Sequence, residues 1–166
     1  MEIRLATTDD YEALRAIYNY EVENACNNFD TKPASPEQWE VKMQKYNKPG
    51  LNNPLLVADD NGVICGYACL SPFRAKKDGY APSKELSIYV DANQRGRGLG
   101  NTLMDAIVAE GRKNPEIHAI ISVITTNNAP SQALHQKFGF EHCGTIRQVA
   151  FKMGEYHDIS YFELFV

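Results

Sequence analysis

The sequence predicts an α/β fold, a mixed sheet with helices on both faces, in a single domain over residues 1–166. Three observations point there. Apolar residues recur at helical spacing in some segments and run continuously in others, in the order strand, two helices, three strands, helix, strand, helix, closing strands. Asp60-Asn61-Gly62 joins two apolar runs with Asn-Gly turn chemistry. A glycine-rich turn, Arg95–Gly100, stands between a strand and a helix. The order does not alternate strictly, as a doubly wound nucleotide fold would.

Ile3–Ala6 reads as the first strand, and Thr8-Asp9-Asp10 as a polar start to a helix carrying Leu14, Ile17, Tyr18 and Val22. Ser35-Pro36-Glu37-Gln38 opens a second helix, with Ser35 as cap, Pro36 in the first turn and Gln38 completing a capping box. Leu55–Asp59 and Val63–Leu70 form the hairpin around Asn61-Gly62. Pro72–Lys84 is polar and reads as a loop, and Glu85–Val90 returns to strand. After the glycine turn, Leu103, Ile107 and Val108 mark a helix. Ile117–Thr125 is a strand, Asn128–Phe138 a short helix ended by Gly139, and the segment with Ile159, Tyr161, Phe162, Leu164 and Phe165 closes the sheet.

Composition narrows the function. The 166 residues, 43% hydrophobic, suffice for a sizeable core. Seventeen Lys and Arg against 21 Asp and Glu give a charge of −4, with no electrostatic footprint for nucleic acid or an anionic membrane. No run of about 18 apolar residues predicts a membrane span, and Met1–Leu5 lacks a signal-peptide core. Cys26, Cys65, Cys69 and Cys143 form no CxxC pair and no zinc-spaced cluster with His. Reduced thiols in a cytoplasmic protein without a metal are expected.

The glycine turn carries the chemistry. Alternating glycines let backbone approach a ligand closely, and the helix that follows presents free N–H groups and its positive dipole end. Together they suit a pyrophosphate. Walker A would need Gly-Lys-Ser/Thr, but Asn101 follows Gly100. The dinucleotide fingerprint would need a third glycine where Asn101 stands.

The pattern is Arg-x-x-Gly-x-Gly at Arg95, Gly98 and Gly100. It resembles the pyrophosphate loop of the GNAT superfamily of N-acetyltransferases. Asn128-x-x-Ser131, then Leu134-His135, then Gly139-Phe140, is similar to the superfamily's second signature. Further matches resemble the phosphinothricin and methionine sulfoximine N-acetyltransferase subfamily: Ile17-Tyr18-Asn19, Phe29-Asp30-Thr31, Pro72-Phe73-Arg74, Glu85, Ser87-Ile88-Tyr89-Val90, Gly144-Thr145-Ile146-Arg147, Lys152-x-Gly154 and Asp158. Two departures touch the substrate side: Lys76 stands where the subfamily often has a second arginine after Arg74, and the loop from Arg74 to Glu85 is longer than the subfamily's.

The resemblance implies a V-shaped, seven-stranded mixed sheet with acetyl-CoA in its cleft, and a homodimer. It implies cofactor contacts at Ile88, Tyr89, Val90, Arg95, Gly96, Arg97, Gly98, Leu99 and Gly100, and at Asn128 and Ser131 on the pantetheine arm or phosphates. Acetyl transfer to an amine needs a base, a polarised carbonyl and a tolerable leaving thiolate. Glu85 is the candidate base, and backbone N–H groups over Ile88–Val90 are the candidate carbonyl donors. Arg74 can grip the carboxylate of a small amino-acid substrate in two places. Lys76 is a lesser cation for the same task, while Phe29 and Ser87 line the acceptor side. His135 occupies a position where many members have Tyr; it reads equally as a helix-surface histidine, dispensable because CoA leaves well. The competing readings are acetylation of peptide or protein N-termini, which needs an open groove with acidic contacts, and a non-catalytic acyl-CoA-binding module.

Overall fold

The computed structural model describes residues 1–166 in full. Its elements are β1 (Glu2–Leu5), α1 (Tyr11–Asn24), α2 (Pro36–Met43), β2 (Leu55–Asp60), β3 (Val63–Pro72), β4 (Ser83–Val90), α3 (Leu99–Lys113), β5 (Ala119–Thr125), α4 (Ala129–Lys137), β6 (Glu141–Lys152) and β7 (Glu155–Phe165). They form one seven-stranded sheet in the order β1-β2-β3-β4-β5-β7-β6. Only β4 and β5 run parallel, so the sheet is mixed.

Local chemistry sets the turns. Asn61 and Gly62 both take positive φ, 56° and 88°, as the two central residues of a type I′ hairpin require. Ser35 Oγ accepts from Gln38 N at 3.2 Å and Gln38 Oε1 accepts from Ser35 N at 3.0 Å, completing the capping box. Period-two side-chain alternation then divides the core in two. Leu55, Val57, Tyr67 and Cys69 pack with Leu14, Ile17, Tyr18, Trp39 and Met43 of α1 and α2. Leu56, Ala68, Leu70 and Leu86 pack with Leu103, Met104, Ile107 and Val108 of α3 on the other face.

The structure moves some boundaries. The second hairpin strand runs to Pro72, and β4 begins at Ser83, because the β3–β4 ladder pairs Pro72 with Lys84. Both residues fall in the segment the sequence reads as loop. The closing strands are a long hairpin, β6–β7, with register shifts between His142 and Gly144 and between Ile146 and Ala150. No helix is long and apolar enough to cross a membrane.

Candidate active site

β4 and β5 pair only at Ser83–Ala119, Lys84–Ile120 and Glu85–Ile121. Beyond Glu85 they part. Asp91 N donates to Cys65 O and Phe73 N to Ser83 O, so the antiparallel alternation turns the backbone groups of Glu85, Ser87 and Tyr89 toward β3. Leu86 N completes the last rung with Ile121, and the Leu86 carbonyl and the backbone groups of Ile88 and Val90 face the gap. On the other lip, Thr126 N donates to Asp158 O and Val166 N to His118 O; Ile121 completes the last rung with β4, leaving Val123 and the Thr125 amide facing the gap. Unpaired strand groups along a cleft can receive an extended polar chain as an added strand. The expectation for Ile88–Val90 is thereby corrected at Tyr89, whose amide turns to β3; its ring lies 5.1 Å from Tyr67 and 5.5 Å from Tyr18.

The gap opens into a cavity of about 760 Å³ lined by both strands, the glycine turn, the start of α4 and the α1–α2 connection. Glu85, Ser87, Tyr89 and Phe29 line it, as do Ile88, Val90, Arg95, Gly96, Gly98, Leu99, Gly100, Asn128 and Ser131. Glu85 makes no side-chain hydrogen bond among those formed; burial raises its carboxyl above the usual range, with Lys45 pulling it down.

The glycines serve two purposes. Gly98 has φ +78°, and a Cβ there would meet nothing within 4 Å. The backbone needs glycine, and the space above it is open at the start of α3. Gly100 is different: a Cβ would come 3.3 Å from Leu134 Cδ2, so its bareness seats α4 against α3 and brings Asn128 beside the turn. Asn128 Oδ1 accepts from Ser131 N at 3.2 Å, capping α4, and its Nδ2 donates to Asn27 Oδ1 at 2.9 Å.

Three expected residues stand elsewhere. Arg97 is outside the cavity because Asp60, on the β2–β3 turn, holds its guanidinium at 2.8 Å. Arg74 and Lys76 are exposed and do not line the cavity; the Arg74 guanidinium lies over the Phe73 and Tyr80 rings at 5.5 and 5.6 Å. His135 is not on the helix surface. It is 5% exposed and packs edge-on to Phe140. Its Nδ1 lies 2.7 Å from Ser131 O, and burial lowers its pKa. A carbonyl only accepts, so Nδ1 carries the proton and the neutral ring presents a bare Nε2. Such a ring cannot donate to a leaving thiolate.

Residues 3–160 match the family model for the acetyltransferase (GNAT) domain. The chain belongs to the GNAT acetyltransferase family. Phosphinothricin N-acetyltransferase of Streptomyces coelicolor is 34% identical over 98% of this chain and 95% of its own. The L-methionine sulfoximine/L-methionine sulfone acetyltransferase of Salmonella typhimurium is 30% identical over 99% of this chain and 94% of its own. Among solved structures, ribosomal-protein-alanine N-acetyltransferase of Brucella melitensis is 38% identical, with TM-score 0.93 and full coverage of both chains. The phosphinothricin acetyltransferase of Sinorhizobium meliloti, in complex with acetyl-CoA, is 28% identical, with TM-score 0.91, covering 99% of this chain and 88% of its own.

Within this GNAT cleft the structure adds side chains that motif reading passes over. Glu21 lines the cavity with 4% of its side chain exposed, and pairs with Arg95 of the glycine turn. Its Oε2 accepts from Asn27 Nδ2 at 2.7 Å. Arg95, Glu21, Asn27 and Asn128 thus form one hydrogen-bonded chain joining the two signatures. A signal existed: Glu21 lies at the spacing of Leu14, Ile17 and Tyr18, a charged residue on the core-facing stripe of α1. Asn28 and Ser122 also line the cavity, and their buried polar side-chain atoms have no partner. No group of three or more His, Cys, Asp or Glu stands together to hold a metal.

Proposed function

We propose that this GNAT domain uses acetyl-CoA to acetylate the α-amine of a small amino acid or analogue, of the phosphinothricin and methionine sulfoximine type. The observation that supports it most is that Glu85 stands where β4 and β5 part, in the same cavity as the glycine turn. The open Leu86 carbonyl and the open backbone groups at Ile88 and Val90, with the bare turn at Gly96–Gly98, suit an extended pantetheine arm ending in a pyrophosphate. Acetyl-CoA supplies the acetyl thioester. Leu86, Ile88 and Val90 would orient the arm through backbone bonds, and an N–H at Ile88 or Val90 would polarise the carbonyl. Leu99 and Gly100, at the start of α3, would meet the phosphates, with Arg95, Asn128 and Ser131 around them.

Glu85 takes the proton from the acceptor ammonium, directly or through one water. Its raised proton affinity matches that task. His135 leaves the thiolate to solvent. Arg74 and Lys76, cations on the loop after β3, would draw an anionic acceptor toward the cleft, while Phe29 and Ser87 would wall it. Single-domain organisation over residues 1–166, a cytoplasmic site of action and a homodimer complete the reading, with no nucleic-acid or membrane partner. The four free cysteines support the compartment. Exposed Ile146, Val149, Phe151, Met153 and Tyr156 on the β6–β7 hairpin offer apolar surface for a second copy.

Thiol release from acetyl-CoA, measured across an amino-acid panel and an alanine-initiated peptide, tests the reading. Turnover of amino acids bears it out. Turnover of the peptide alone supports N-terminal acetylation instead, and tight acetyl-CoA binding with no turnover supports a binding module.

A further inference from the structure

Two backbone carbonyls beside the cavity accept from one buried ammonium. Lys152, at the end of β6, is 5% exposed. Its Nζ donates to Asn28 O at 3.0 Å and reaches Glu21 O at 3.5 Å. Glu21 O lies in the last turn of α1, where it also accepts from Ala25 N, and Asn28 lies in the connection that follows. Both partners are neutral carbonyls, because the Glu21 carboxylate is turned to Arg95. An ammonium taken out of water with only neutral acceptors is unfavourable, and such an arrangement persists where the geometry it fixes is needed.

The geometry it fixes is that of Asn28 and Phe29. No other hydrogen bond reaches the backbone of either residue. The Phe29 ring lies 5.7 Å from the ring of His157 on β7, and His157 Nε2 donates to Lys152 O at 3.0 Å. The two-residue turn Met153-Gly154, with φ 53° and 83°, folds β7 back on β6. The hairpin thus holds Phe29 from its backbone side and from its ring side.

This hold crosses the cleft. Glu85 belongs to β4, on one side of the gap, whereas β6 and β7 lie beyond β5 on the other. Strand alternation places the Glu85 and Ser87 side chains on the face covered by α1 and α2. The connection between those helices brings Phe29 to the same side, and all three residues line the cavity. The span from Phe29 to the base is therefore set by a lysine that does not itself line the cavity.

We propose that Lys152 is a positioning residue for acceptor specificity: it sets the span between Phe29 and Glu85, and with it the size of acceptor that fits. The proposal rests on the amino-acid reading above.

The test compares wild type, Lys152→Met, Phe29→Ala and the double variant. Acceptors are L-methionine sulfone, phosphinothricin and the smaller L-alanine. Steady-state kinetics across pH gives KM and kcat, and calorimetry gives acetyl-CoA Kd. Lys152→Met removes the ammonium and keeps an unbranched side chain. It is expected to raise KM for the two larger acceptors about tenfold, to narrow their advantage over L-alanine by the same factor, and to leave kcat, its acid limb and acetyl-CoA Kd as in wild type. Because Lys152 acts through Phe29, the double variant should show an acceptor KM no higher than Phe29→Ala alone. If Lys152→Met does not fold, Lys152→Arg, which keeps the charge on a larger head, carries the same cycle. An unchanged KM in a folded variant, even one of lower Tm, overturns the role and leaves Lys152 a stabilising contact. KM losses that add in the double variant, or a matching loss of acetyl-CoA affinity, overturn it as well. Each of these results leaves the amino-acid reading standing, whereas absence of amino-acid turnover in the wild type overturns both.

Discussion

Removing the Arg95 guanidinium should destabilise the chain more than neutralising the carboxylate it holds. The two partners are unequally placed: 51% of the Arg95 side chain is exposed, against 4% for Glu21. Breaking a fully buried pair by deleting one member costs about 3–5 kcal/mol, mostly because the other charge is stranded. An exposed pair is worth about 0–1 kcal/mol. Arg95→Ala strands a buried carboxylate beside a cavity that water reaches, with Asn27 still bonded to one oxygen at 2.7 Å. The expected cost lies between those limits, about 2 kcal/mol, or about 4–8 °C in Tm for a chain this long. Glu21→Gln strands only a half-hydrated guanidinium and should cost about 0.5–1 kcal/mol. Adding Glu21→Gln to Arg95→Ala should then restore stability, with a coupling of about 1–2 kcal/mol. Thermal and urea melts of the two single variants and the double variant, at neutral pH without ligand, measure all three numbers. A Glu21→Gln loss equal to or above that of Arg95→Ala, or a double variant no better than Arg95→Ala, refutes the reasoning.

Gly98→Val should weaken acetyl-CoA binding more than tenfold, about 1.4 kcal/mol or more, since φ +78° suits glycine and the side chain would fill the open approach; unchanged affinity by calorimetry in a folded variant rejects it. Glu85→Gln should lower turnover about 10²–10⁴-fold. The base works only when ionised, so wild-type activity falls as pH drops through its raised pKa, and that acid limb should vanish in the variant; near-normal turnover with an intact limb dismisses Glu85. His135→Ala should cost less than about tenfold in turnover, yet lower Tm, because the ring packs on Phe140 and Phe162; a thousandfold loss in a folded protein contradicts the bare Nε2.

What could be read beforehand was whatever a few adjacent residues decide. Asn61-Gly62, the Ser35 capping box and the Gly98 turn each settle their own backbone, and the structure has all three. The two signature segments lie together because Gly100 admits Leu134, a contact their spacing in sequence only hints at. Features set by register were not legible. Which amides of β4 face the gap depends on pairing with β3, and this removes Tyr89 from the donors. Arg97 is diverted by Asp60, a residue distant in sequence that the β2–β3 hairpin brings near. His135 reads as a surface residue in a helix of weak amphipathicity; only the closing hairpin, with Phe162, and Phe140 before it bury it. Asn28 gives no signal at all, since an asparagine in a polar connection looks like any turn residue until its environment is known.

The short ladder between β4 and β5 has a mechanical meaning. Three residue pairs, with Pro82 O accepting from His118 N just before them, join a four-stranded half to a three-stranded half, whereas β5 and β7 pair over seven positions and β6 and β7 over eight. By backbone pairing the sheet is two plates joined at one end, with the core on its α3 face running across both. Opening energies in native proteins follow such divisions, with weakly joined units exchanging amide hydrogens independently. The seam amides of β5 should exchange well before those it shares with β7, and a molecule lying in the gap acts as the missing rungs. Its binding would weld the plates, so protection should rise along residues 86–90 and 121–125 together, on both sides of the gap.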